Sequence, residues 1–302
     1  MALPLYVVDA FSDRPFAGNP AAVAVLPTPD ALNDTLMQAV AAEMNQSETA
    51  FVAPLPEPGG PVASAERASA RGAPRRTPAD TAWSLRWFTP AAEVELCGHA
   101  TLAAAHALWE TGRAAADQLV RFETRWHGTL TCRRVDGRVA MDFPADPPTG
   151  ADPPAGLLEA LRVEPARVAT VARSTYDWIV ELDAPAAVRD ASPDFAALTA
   201  VDCRGVSLTA AGGGDGGADV VSRFFAPRLR IAEDPVTGSL HCVLGPWWAD
   251  RLGKRELDCE QASPRGGRLT VRLRDDGGGT RVDLIGSAVM VVAGELRVPP
   301  AA

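Results

Sequence analysis

The stretch Leu96-Cys97-Gly98-His99-Ala100-Thr101-Leu102 runs directly into Ala103-Ala104-Ala105-His106-Ala107-Leu108-Trp109. A polar, glycine-containing turn is followed by strong helix formers with apolar residues on nearly every side, which predicts a helix buried all round. Such a helix must still satisfy the free N–H groups of its first turn. If Gly98 and His99 open it, those donors and the positive end of the helix dipole are suited to an anion. The same residues also fit an ordinary helix start whose His99 is a hydrogen-bonded core histidine.

The other half of the chain carries a second copy. Arg86-Trp87-Phe88-Thr89-Pro90 leads through a short acidic stretch into Cys97-Gly98-His99. Arg223-Phe224-Phe225-Ala226-Pro227 leads through Ile231-Ala232-Glu233-Asp234-Pro235-Val236 into Thr237-Gly238-Ser239 and an apolar run, Leu240 to Trp248. Aromatic strand, proline turn, acidic stretch, helix start and buried helix each occur once per half. Self-similarity of this length is a fold-level signal. Two helix N-termini presented to a shared cleft would make a paired anion site.

At 302 residues, 47% of them hydrophobic, the chain is long enough for two domains with their own cores. A net charge of −9 argues against a general binder of nucleic acid or anionic membranes. No basic region precedes the first apolar residues and no 18-residue apolar run occurs, so neither a signal peptide nor a membrane span is expected. The cysteines, Cys97, Cys132, Cys203, Cys242 and Cys259, are odd in number and lack CxxC spacing. Reduced thiols in a cytoplasm fit best.

Along the chain, strands are predicted at Leu5–Phe11 and Ala21–Leu26, with a turn at Phe16–Pro20 and a helix from Thr35 to Asn45. Glu48 then opens a strand beside Ala50, Phe51 and Val52. There it is either a half-buried carboxylate with a pKa raised toward the range useful for proton transfer, or a solvated strand-end charge. Residues 54–80, rich in Pro, Gly, Ala, Ser and Arg, predict an extended surface loop. A strand at Trp83–Phe88, a helix end at Thr111-Gly112 and a hairpin turning at Asp136-Gly137 follow. The second half predicts helices at Leu157–Leu161 and Asp194–Leu198, a strand at Trp178–Leu182 and three closing strands near 269–273, 281–285 and 288–296. Gly212 to Gly217 formally satisfies GxGxxG, but a strand pattern follows it. A dinucleotide fingerprint needs a helix there.

Many short strands and one all-apolar helix per half indicate an α+β protein of two similar units. At these residues the chain resembles the PhzF-like isomerases of phenazine biosynthesis, within the diaminopimelate-epimerase-like superfamily. Four motifs in order carry the resemblance: Val8-Asp9-Ala10-Phe11 with Gly18-Asn19-Pro20, Asn45-Gln46-Ser47-Glu48-Thr49, Cys97-Gly98-His99-Ala100-Thr101, and Glu233-Asp234-Pro235-Val236-Thr237-Gly238-Ser239. The resemblance implies two pseudo-symmetric barrel-like domains, each a sheet around a central helix, with the active site in the cleft between them. The first would span 1–117, completed by the tail 286–302, and the second 118–285. It also implies no cofactor, a homodimer, and a small-molecule carboxylic acid as substrate.

Carried onto this chain, the resemblance makes Glu48 the acid/base and gives His99, Asp234 and Ser239 the tasks of orienting substrate and assisting proton movement. Gly98 and Gly238 would hold a carboxylate at the helix starts, with Asn19, Ser47, Cys97 and Thr237 completing the substrate site. Racemases of the superfamily use two cysteines. Here Cys97 matches one, and Thr237 stands where the other is needed, so an amino-acid racemase or epimerase is the weaker alternative. A catalytically silent small-acid-binding protein on the same scaffold is another. The four histidines, His99, His106, His127 and His241, show no metal-ligand spacing, and no metal is expected.

Overall fold

The computed structural model describes residues 1–56, 82–213 and 217–299. Most of the loop expected over 54–80 and the centre of the Gly212–Gly217 run lie outside the described residues. Contacts divide the chain into two compact units. The first comprises Met1–Val8, Pro20–Val139 and the chain from Met290 onward; the second comprises Asp9–Asn19 and Ala140–Val289.

In the first unit, β1 (Ala2–Ala10) precedes β2 (Asn19–Val25), α1 (Asp34–Met44) and β3 (Glu48–Pro54). Asn33 caps α1 by accepting from the Leu36 N–H at 2.9 Å, and Asn45 ends it in the left-handed conformation, φ 47°. The chain can therefore enter β3 at Glu48, parallel to β2 with Ala21 opposite Glu48. Met37, Val40 and Ala41 of α1 pack into a core with Phe51 and Phe88, whose rings meet edge to face at 5.5 Å.

Next come β4 (Ala82–Phe88), antiparallel to β3, and the short β5 (Glu93–Val94). Then α2 (Gly98–Glu110) crosses over to β6 (Val120–Thr124), parallel to β4, followed by antiparallel β7 (Thr129–Val135). Asp136 and Gly137, at φ 51° and 78°, turn the chain into β8 (Arg138–Pro144). Ten of the thirteen residues of α2 are buried; five are alanines, whose small side chains let strands approach on several sides. The 118–139 segment, expected in the second half, packs with the first unit because β6 hydrogen-bonds to β4.

The second unit contains β9 (Thr149–Gly150), α3 (Leu157–Leu161), β10 (Val168–Arg173), β11 (Asp177–Leu182), α4 (Pro185–Arg189), α5 (Phe195–Ala200) and β12 (Gly205–Ala211). They are followed by β13 (Val220–Ala226), β14 (Ile231–Asp234), α6 (Gly238–Leu252), β15 (Glu256–Gln261), β16 (Gly267–Asp275) and β17 (Thr280–Gly286). The last strand, β18 (Ala288–Arg297), pairs with β1.

The internal repeat is plain in the pairings. β2 and β3 are parallel, β4 antiparallel to β3, β6 parallel to β4, and β7 antiparallel to β6. β11, β12, β13, β15 and β16 repeat that sequence of directions. Each unit thus sends its buried helix, α2 or α6, across between two parallel strands. α6 tolerates Pro246 because the Cys242 carbonyl, deprived of its helical donor, accepts instead from the Asp146 N–H at 3.1 Å. A Cβ on Gly245 would stand 2.8 Å from Val271, so glycine lets α6 lie close to β16. The Gly212–Gly217 run connects β12 to β13, strand to strand, as expected. Among the described residues no helix is long and apolar enough to cross a membrane.

Candidate active site

The first unit gathers Glu48, Cys97 and His99. Glu48 stands at the first position of β3, and the bonding of β3 to β2 on one side and β4 on the other holds it there. Cys97 is the residue before α2, extended at φ −143° and ψ 114°, and its carbonyl accepts from both the N–H and the hydroxyl of Thr101 at 3.2 and 2.6 Å. His99, one residue into the helix, lies with Nε2 3.0 Å from a Glu48 carboxylate oxygen and Nδ1 3.4 Å from the Cys97 sulfur. The side chains of His99 and Glu48 are only 6% and 12% exposed. The local sequence left Glu48 open between a buried base and a solvated charge; in the fold it is half-buried against an imidazole.

Burial would depress the His99 pKa, but Cys97 and Glu48 beside it reverse the direction and hold it well above the usual histidine value. The Cys97 thiol is itself pushed up to about 11, first by burial and then by the Glu48 charge. It is a neutral thiol at neutral pH, so Glu48 is the group that stabilises the imidazolium. The lowering expected of a helix N-terminus is outweighed here. Potential ligand atoms of Glu48, Cys97 and His99 lie within 4.8 Å of one another. A metal held by all three would first have to displace the proton from this thiol.

The second unit builds a different cluster on the matching helix start. Asn19 donates from Nδ2 to Asp234 Oδ1 at 2.8 Å and to the Val236 carbonyl at 2.9 Å. Thr237 donates its hydroxyl to Asp234 Oδ2 at 2.6 Å, and its N–H donates to Gln261 Oε1 at 2.9 Å. Gln261 donates back to the Asp234 carbonyl and to the Thr237 hydroxyl, at 2.7 and 3.2 Å. Gly238 is buried, while Ser239 is exposed, its Oγ 3.4 Å from a nitrogen of Arg204. His241, a turn into α6, lies 2.8 Å from the Thr237 carbonyl through Nδ1, which must carry the proton. Burial drives its pKa down to about 4, so this histidine is neutral.

Asn19 is held by the first sequence motif. Arg265 donates to Asp9 at 2.9 Å and to the Gly18 carbonyl at 2.8 Å, and the Phe16 N–H donates to the same carboxylate at 2.7 Å. Gly18 has φ +68°, and a Cβ there would lie 2.1 Å from the Ala10 carbonyl, so only glycine lets the strap close. The expected residues therefore fall in two groups: Glu48, Cys97, Gly98 and His99, and Asn19, Asp234, Thr237, Gly238 and Ser239. Ser47 is half-buried just ahead of β3. Sequence reasoning missed Gln261, Arg265, Arg204 and its partner Asp177. Asp9 was visible within a motif, but nothing local marked the other four.

The family model of phenazine biosynthesis-like proteins matches residues 8–294. A Pseudomonas aeruginosa protein named as an uncharacterized isomerase is 45% identical over 299 residues, 99% of this chain and 100% of its own. Among solved structures, a phenazine biosynthesis protein of the PhzF family from Enterococcus faecalis superimposes with a TM-score of 0.82 at 35% identity, covering 99% of this chain and 100% of that one. A probable proline racemase from Agrobacterium radiobacter shares the fold more distantly, with a TM-score of 0.56 at 12% identity over 99% of this chain and 94% of that one. The architecture is the α+β, diaminopimelate-epimerase-like fold.

Proposed function

Because the chain belongs to the phenazine biosynthesis-like (PhzC-PhzF) family and is an isomerase, we propose that it moves a proton, and with it a double bond, within a small carboxylic acid by acid/base catalysis at Glu48. The observation that carries this is the 3.0 Å contact between Glu48 and the buried imidazole of His99. Glu48 takes the proton from one carbon as the electron pair shifts along the substrate, and a proton returns to a second carbon. Neither atoms nor electrons are gained, so the reaction needs no redox partner. A positioned, partly desolvated base contributes on the order of 10²–10⁴ in rate. His99 orients Glu48 and keeps a proton at its side.

The further roles are proposed on the family pattern. Asp234 and Ser239 orient the substrate, and the N–H groups at Gly98 and Gly238 hold its carboxylate. A carboxylate at one helix terminus gains roughly 0.3–1 kcal/mol, and up to ~2 when partly buried. The racemase alternative is disfavoured because Cys97 is a neutral thiol and Thr237 spends its hydroxyl on Asp234. A cytoplasmic homodimer acting in a biosynthetic pathway completes the proposal. The test is deuterium incorporation in D₂O from a panel of cyclic and acyclic unsaturated carboxylic acids, with Glu48→Gln alongside. Exchange at carbon that disappears in the variant is the expected result, and full exchange by the variant would sink the mechanism.

A further inference from the structure

The internal repeat identifies a counterpart of Glu48. In the first unit Phe88 lies opposite Thr49; in the second, Phe225, the equivalent aromatic, lies opposite Val206. Glu48 therefore corresponds to Gly205, and the residue beside it is Arg204. Glu48 reaches His99, the second residue of α2, and Arg204 reaches Ser239, the second residue of α6, at 3.4 Å. Both units bring a charged side chain from the start of a strand to the start of a buried helix. One charge is acidic and the other basic.

Arg204 is built in. Its Nε donates to Asp177 at 2.8 Å, one Nη bonds the other oxygen of the same carboxylate, and Asp177 is 1% exposed. Its second Nη makes no hydrogen bond among the described residues. The side chain lines an open cavity of about 380 Å³ shared with Arg173, Tyr176, Asp202, Cys203, Arg228 and Leu229. Arg173 has no carboxylate partner among the described residues and lies over the Trp178 ring. Arg228 donates to the Val201 carbonyl at 3.2 Å and pairs with Asp202, whose side chain is 99% exposed, and such surface pairs are weak. Three arginines against two carboxylates, Asp177 and Asp202, leave the cavity net positive in a protein of net charge −9. Tyr176, 61% exposed, stacks under the Arg204 guanidinium at 5.1 Å, and Leu229 is 54% exposed.

We infer that Arg204 anchors the substrate: this cavity takes a carboxylate borne on a flat apolar body, the carboxylate on Arg204 and Arg173 and the body on Tyr176 and Leu229. Guanidinium forks suit planar oxyanions, and an exposed aromatic face suits a ring. The inference rests on the proposal that Ser239 contacts substrate, and it narrows the substrate class to carboxylic acids with an unsaturated or cyclic skeleton.

The test is calorimetric titration of the full chain with benzoate, benzamide and acetate. Benzoate binds, and benzamide and acetate bind at least about tenfold more weakly, about 1.4 kcal/mol. Arg204→Gln weakens benzoate by about tenfold or more, and Arg173→Gln by a few-fold with an unchanged unfolding midpoint. Because Arg204→Gln leaves Asp177 buried without its cation, Arg204→Lys is measured as well; it keeps the charge without the fork and gives an intermediate loss. Equal binding of benzamide, unchanged benzoate affinity in both Arg204→Gln and Arg173→Gln, or no benzoate binding at millimolar concentration overturns the anchor. If Glu48→Gln keeps hydrogen exchange, the isomerase mechanism fails while the titrations of the Arg204 and Arg173 variants still decide the anchor.

Discussion

The two buried helices begin alike and end up with opposite chemistry. Cys97-Gly98-His99 and Thr237-Gly238-Ser239 occupy the same place in the repeat, each after an acidic stretch and each crossing between parallel strands. The first start carries a carboxylate, an imidazole and a thiol set against one another, with Glu48 3.0 Å and Cys97 3.4 Å from the ring nitrogens of His99. At the second, the Asp234 carboxylate accepts from Asn19 and Thr237, the Thr237 N–H and carbonyl are bonded to Gln261 and His241, and that histidine is neutral. On the proposed mechanism the first start moves protons and the second stays fixed, although the backbone entering the two helices is similar. A duplicated scaffold would then separate reactivity from rigidity by side-chain choice.

The sharpest break of that comparison is Glu48→Gln. If the first helix start carries the chemistry, exchange of substrate carbon-bound hydrogen for deuterium falls by about 10²–10⁴, read by mass spectrometry or NMR. Asn19→Ala on the other side should leave residual exchange far above that level.

Next in size is the opposite titration of the two histidines. His241 has a folded pKa of about 4 against an ordinary value near 6.5, so the unfolded chain binds the extra proton in between. Stability falls as pH drops from about 6.5 to 4, by on the order of 3 kcal/mol, measured by urea unfolding with a His241→Asn control. His99 has the reverse sign. Its raised pKa contributes stability that is complete below about 6.5 and lost as pH rises through its folded value. Nitrogen-15 NMR should find His99 doubly protonated above pH 6.5 and His241 singly protonated down to about 4. A neutral His99 at pH 7 would erase the distinction between the two helix starts.

A smaller effect is expected in the fixed cluster. Asn19→Ala removes the hydrogen bonds to Asp234 and to the buried Val236 carbonyl, costing about 1–3 kcal/mol in urea unfolding. The smallest change expected is Cys97→Ser. As a protonated, buried thiol, Cys97 should alkylate slowly at neutral pH, and its replacement should alter exchange by no more than a few-fold. A collapse of α-hydrogen exchange on amino acids in that variant would restore the racemase alternative.

Much of this contrast was legible in the residues. Helix starts, apolar helices and the α1 cap are local patterns spanning a few positions, and they appear where periodicity places them. The strands β12 and β15 were not legible. β15 reads Glu-Leu-Asp-Cys-Glu-Gln, and its Gln261, wholly buried, carries the polarity of a surface residue. Arg204 and Asp177 are 27 residues apart and meet only because β11 and β12 run parallel. Glu48 was ambiguous because its burial depends on His99, 51 positions later.

The sequence by itself determined the repeated order of strand and helix, the two glycine-bearing helix starts and the family, because backbone preference and short motifs act over neighbouring residues. Only the tertiary structure decided that the His99 pKa is raised, that Cys97 and His241 are held neutral, and that Arg204 stands beside Gly205, the repeat's counterpart of Glu48. Protonation follows burial and the field of partners brought from elsewhere in the chain, and neither exists until the strands have paired around their helices.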